Sequence, residues 1–148
     1  MTASLVGALL TAGSGGSASC QTTRFTDASP NHVFAAVLAW LSDPGISTGY
    51  PGPRRPSFQP AAPVLGEQMA AFLYRFAGSP AVNGVPTTSP YVDVPTTHVF
   101  FKEIVWLQRE GITTGYADGT FRPGQPVLRE QMAAFLFRFS ELPGSQTD

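Results

Sequence analysis

Apolar residues recur along this chain at helical spacing in four places, with turn-forming residues between them. Phe34, Val37, Leu38 and Leu41 fall at i, i+3, i+4 and i+7, the stripe of a helix that buries one face. Phe100, Ile104 and Leu107 repeat that stripe further on, with Glu103 where the first stretch has Val37. The opposite side is apolar too, since Val33 lies with Trp40 and Val99 with Trp106. A helix apolar on two faces is sandwiched, so one face is expected to serve its own unit and the other a neighbour. Two further stretches carry Met69, Phe72, Leu73, Phe76 and Met132, Phe135, Leu136, Phe139, and both sets read as core. Ala70-Ala71 and Ala133-Ala134 would let another helix approach closely.

The breaks are as patterned as the stripes. Gly111 and Gly45 sit where a left-handed residue would end the first helix of each pair. From Ile112 to Phe121 the chain alternates around Asp118-Gly119, a tight-turn signal. Its counterpart, Pro51 to Ser57, is three residues longer and rich in proline, so an irregular loop is expected there.

These elements are one unit written twice. Phe25–Tyr50 aligns with Tyr91–Tyr116, and Phe58–Phe76 with Phe121–Phe139. A period of roughly 50–65 residues means a repeated supersecondary unit, and such units usually assemble a binding surface by stacking. The predicted fold is mainly α: two tandem helix–loop–helix repeats packed together, with short turn or hairpin segments and disordered tails. The expected boundaries are a leader over 1–24, repeat one over 25–76, a linker over 77–90, repeat two over 91–139 and a tail over 140–148.

Composition narrows the function. The 148 residues hold nine Lys and Arg against ten Asp and Glu, for a net charge of −1. With no basic patch to neutralise phosphates, nucleic acid is not expected as a partner. One cysteine, Cys20, excludes an internal disulfide framework. No stretch reaches the roughly 18–20 apolar residues of a membrane span. Leu5 to Ala12 and the small residues Gly13 to Ser19 resemble the hydrophobic and cleavage regions of a secretory signal, with Ser17 and Ser19 at −3 and −1. The usual basic start is lacking, which suggests an upstream portion. Lipid attachment at Cys20 is disfavoured because Ser17 stands where Leu is wanted. The competing reading is a disordered Gly/Ser leader.

Catalytic signatures are absent: no nucleophile elbow, no phosphate-binding glycine loop, no calcium loop. Glu67 and Glu130 are duplicates in separate repeats, not a pair in one cleft. His32 and His98 match each other without metal-ligand neighbours, and read as helix-start packing or polar contacts. No enzyme activity and no cofactor or metal is expected.

Phe25-Thr26-Asp27, Tyr91 to Pro95, Gly111 to Pro123 and Pro126 to Leu136 occur in an order that resembles the S-layer homology domain, of the actinobacterial type. The resemblance implies a secreted, cell-wall or S-layer associated anchoring module. It implies repeats, usually three, whose grooves bind secondary cell-wall polysaccharide or a peptidoglycan-linked glycan. With two repeats visible, self-association could complete a three-repeat assembly. Two departures stand out. The family's helix start is Thr-Arg-Ala-Glu, but Leu65 and Leu128 occupy the Thr place, removing a cap hydroxyl worth on the order of 1 kcal/mol. Gly66 replaces the arginine in repeat one, so repeat two is expected to keep the ligand chemistry.

Arg129 is the leading ligand candidate. An arginine in a first helical turn is disfavoured by the helix dipole, unless an anion is shared by its guanidinium and the free backbone N–H groups. The competing role is an ion pair with Asp93 or Glu130. Trp40 and Trp106 either stack on a sugar ring or pack against the adjacent repeat. Asp27 and Asp93 either bind sugar hydroxyls or, as favoured here, cap and fix loops. Gly115, Tyr116 and Glu130 complete the candidate set, while Asp118-Gly119 is turn chemistry. Two rivals remain: an oligomerising module without glycan binding, and the anchoring fragment of a larger secreted hydrolase.

Overall fold

The computed structural model describes residues 24–143; the signal-like leader with Cys20, and most of the tail, lie outside them. Four helices follow in chain order: α1 (Ala35–Ser42), α2 (Gly66–Phe76), α3 (Phe101–Arg109) and α4 (Arg129–Ser140). Among the described residues, pairing beyond the helices is limited to two isolated bridges, Tyr50 with Ser57 and Leu65 with Pro126. The fold is mainly α, as the stripes predicted.

Each helix stops where its sequence says it must. Gly45 and Gly111, both at positive φ, close α1 and α3. The turn around Gly119 forms with Tyr116 and Thr120 bonded across it. The longer loop of repeat one is instead tied at its ends, Tyr50 N–H donating to the Ser57 carbonyl and Ser57 N–H to that of Tyr50.

The main core joins the repeats. Met69, Ala70, Leu73 and Tyr74 of α2 are buried with Phe101, Ile104, Val105, Trp106 and Leu107 of α3, beneath Tyr91, Val94, Ile112 and Phe121. Ala70 and Ala71 are buried, as a close helix approach requires. A smaller cluster of Phe25, Ala28 and Leu38 sits under α1. Only α3 is sandwiched as expected. On α1, Val37 and Trp40 are exposed, as are Val33 and Phe34 before it.

On α4 the stripe is core only in part: Met132, Phe135 and Phe139 pack half-buried against the main cluster, no residue of the helix is fully buried, and Leu136 is exposed. Leu73 and Tyr74 on α2 are 5% and 4% exposed, while their counterparts Leu136 and Phe137 are 52% and 63% exposed. The cause is position: α2 has α3 against it, and no described helix covers the same face of α4.

Residues 77–90 run as a strap. Tyr74 Oη donates to the Pro80 carbonyl, and the Arg109 guanidinium donates to the carbonyls of Asn83 and Gly84.

Candidate functional site

Both repeats build the same local machine. A carboxylate before the first helix reaches forward about thirty residues and holds two successive backbone N–H groups. Asp27 accepts from Phe58 and Gln59 at 2.7 Å each, and Asp93 from Phe121 at 2.8 Å and Arg122 at 2.7 Å. Gln59 and Arg122 both have positive φ, so each fork secures a residue in a conformation that non-glycine side chains resist. The Phe58 amide, chiefly, holds the Asp27 carboxyl below its ordinary range.

The second helices start on a half capping box. Without a threonine, the outward half is lost, but the return bond survives: Gln68 Oε1 accepts from Leu65 N–H at 3.0 Å and Gln131 Oε1 from Leu128 N–H at 2.9 Å. The other end of each glutamine donates to a tyrosine hydroxyl, Gln68 to Tyr50 and Gln131 to Tyr116. Further along, Arg75 donates to the Ile46 carbonyl and Arg138 to that of Ile112. Tyrosine, glutamine and arginine therefore define one wall, built twice.

Each wall faces a cleft. The first, about 580 Å³, is lined by Thr48, Tyr50, Gln68, Phe72 and Arg75, closed on its far side by Val99 and Phe100 of repeat two. The second, about 230 Å³, is lined by the matching Thr114, Tyr116, Gln131, Phe135 and Arg138, with Arg122 and, from repeat one, Gly66. Glu67 lines the first cleft, whereas no carboxylate lines the second. The Arg122 guanidinium lies 3.9 Å above the Tyr116 ring and 3.1 Å from Asp118. Three hydrogen bonds, first the one from the Thr120 hydroxyl, hold Asp118 down to a pKa of about 2. Gly115 has φ +68, and a Cβ there would meet the Tyr91 ring at 2.4 Å.

The seam between repeats explains Gly66. Its N–H donates to the Gln125 carbonyl and that of Glu67 to Pro123, while Val127 N–H donates to Val64. A Cβ on Gly66 would lie 3.2 Å from the Arg122 carbonyl. Across the same seam His98 Nε2 meets Glu67 Oε2 at 3.2 Å, and its Nδ1 accepts from Phe100 N–H.

Of the residues singled out from sequence, Gly115 and Tyr116 line a cleft, and the others lie elsewhere. Trp106 is 5% exposed and packs edge-on against Tyr74 of α2, the inter-repeat role and not a sugar platform. Trp40 is partly exposed and rests edge-on against Phe76. Asp27 and Asp93 fix loops. Arg129 and Glu130 are exposed at the start of α4 and line neither cleft. The ion pair of Arg129 with Asp93 or Glu130 does not form. Arg122, Gln131 and Arg138 line the second cleft but are not among the residues singled out from sequence, although Gln131 and Arg138 have like residues, Gln68 and Arg75, at matching places in repeat one. Among the described residues there is no helix long and apolar enough to cross a membrane, and no cluster of metal-ligating side chains.

The S-layer homology domain family model matches residues 24–70 and 90–133, once in each repeat. Cell surface glycoprotein 1 of Acetivibrio thermocellus is 31% identical over 91 residues, covering 62% of this chain and 4% of that protein. A cell surface protein of Thermoanaerobacter kivui is 29% identical over 119 residues, covering 79% of this chain and 15% of that protein. The chain therefore spans a small part of the length of either relative. No solved structure matches it. Two family matches over most of the chain, each falling on one copy of the carboxylate fork and tyrosine–glutamine wall, establish that the chain belongs to the S-layer homology domain family.

Proposed function

We propose that this chain anchors to the cell envelope by holding an acidic wall polysaccharide in its clefts, the second above all. Membership of the family makes it an extracellular, wall-associated module for cell-surface anchoring. The observation supporting the finer reading is the lining of the second cleft: two arginines, a tyrosine and a glutamine, with no carboxylate among them. A carboxylate-bearing sugar, such as a uronate or pyruvate ketal, would find the Arg138 guanidinium and compete with the exposed Asp118 for that of Arg122. Ring hydroxyls would meet the Gln131 amide and the Tyr116 hydroxyl. In the first cleft Gln59 stands in the place of Arg122 and Glu67 adds a negative charge, so its preference is for a neutral, more apolar segment. The mechanism is non-catalytic positioning.

Retention on purified cell walls tests this. Wild-type protein should sediment with walls, and Arg122→Ala should weaken retention about tenfold, the worth of one charge-assisted hydrogen bond. Arg129→Ala should match wild type at dilutions where the chain is monomeric. Equal retention of wild type and Arg122→Ala would overturn the assignment of the second cleft.

A further inference from the structure

The seam inside the chain has an offering side and a receiving side, and each side has a counterpart in the other repeat. At that seam α2 offers an apolar face with Leu73 and Tyr74, the carboxylate of Glu67, and the N–H groups of Gly66 and Glu67. Repeat two receives them with Trp106, with His98, and with the carbonyls of Gln125 and Pro123. Every one of these groups except Gly66 and Gln125 has a like residue in the other repeat, and the backbone groups are duplicated throughout. On α4 the offering side is Leu136, Phe137, Glu130 and the N–H groups of Arg129 and Glu130. Leu136, Phe137 and Glu130 are exposed, and among the described residues neither N–H group has an acceptor. In repeat one the receiving side is Trp40, His32 and the carbonyls of Ala62 and Pro60, with Phe34 exposed beside them. His32 is already set as His98 is, its Nδ1 accepting from the N–H two residues on.

We infer that α4 of one copy docks on the α1 side of a second copy, head to tail, repeating the α2–α3 seam between molecules. Phe137 then meets Trp40 of the second copy as Tyr74 meets Trp106, and Glu130 meets His32 as Glu67 meets His98. A second copy fits this face because the contact continues an interface the sequence already makes, with matched charge and backbone partners. Such a contact is heterologous, using different patches on the two molecules. It also gives Arg129 a place. Gly66 lines the second cleft across the internal seam, so the same register brings Arg129 to the first cleft of the second copy. This contact does not depend on what the clefts bind.

Sedimentation velocity on the full chain, from micromolar to millimolar concentration, tests it. The average mass of wild type should rise with concentration. Phe137→Arg on α4 and Phe34→Arg on the receiving side should each weaken association roughly tenfold or more. Both side chains are exposed, so circular dichroism and melting should stay as in wild type. Mixing the two variants is the decisive arm, because each keeps the face the other lacks. An equimolar mixture should form a one-to-one dimer that does not grow further. A chain monomeric throughout the range, association surviving in either variant, or a mixture that stays monomeric while wild type associates would each overturn the proposal.

Discussion

A carboxylate that serves two amides of a residue pair cannot be replaced by a smaller group without cost. Asp93 is partly buried, and its two acceptors hold Arg122 at φ +62. Asp93→Ala leaves both N–H groups without their acceptor and should destabilise by about 2 kcal/mol in urea unfolding. Asp27→Ala should cost less, since Asp27 is exposed and water can replace it. Asp93→Asn should recover only part of the loss, because its amide turns a donor toward a donor. Tyr91 gives the opposite case. Its hydroxyl is buried without a hydrogen-bond partner, and burial pushes its pKa up; the Thr113 side chain tempers that rise without reaching bonding geometry. Repeat one already has Phe25 there, so Tyr91→Phe should be neutral or stabilising by up to about 1 kcal/mol in the same assay.

At the scale of elements, the helices were legible because their stripes and glycine stops are local properties. Their starts were half legible. The lost threonine was visible in Leu65 and Leu128, but the surviving return bond comes from Gln68 and Gln131, which also reach tyrosines 18 and 15 residues away respectively. Pattern alone does not measure that reach. The deficit is repairable on α4. Leu128 is more than half exposed, so Leu128→Thr forfeits little burial while its hydroxyl can accept from the Gln131 N–H. Thermal unfolding of dilute protein should show a gain of about 0.5–1 kcal/mol. Leu65→Thr should gain less, since Leu65 is half buried and paired with Pro126 across the seam. Arg129 shows the same limit: its place in the first turn of α4 is a local property, but what faces that turn is not, and here Arg129 is exposed and lines neither cleft.

For the molecule as a whole, duplicated sequence does not mean duplicated environment: Leu73 and Tyr74 of α2 are buried between the repeats, whereas their counterparts Leu136 and Phe137 on α4 are exposed. The charge balance is more evenly shared, because each repeat places carboxylates where backbone and hydroxyl donors hold them ionised. Asp27 is held down first by the Phe58 amide, and Asp118 to about 2 by the Thr120 hydroxyl, the Thr120 amide and Arg122. Both groups bind a proton less readily folded than unfolded, where a carboxyl titrates near about 4. The folded state therefore carries fewer protons in that interval, and stability rises with pH across it. The contribution is complete above the unfolded value and is lost as pH falls through the folded ones. The urea midpoint should accordingly decline between about pH 4 and pH 2, with Asp118→Asn showing a shallower fall. Both carboxylates are solvent-facing, so added salt should also flatten the decline by screening the Arg122 pairing. A midpoint unchanged down to about pH 2 would mean that neither loop fixation nor the Asp118–Thr120–Arg122 turn contributes to holding the two repeats together.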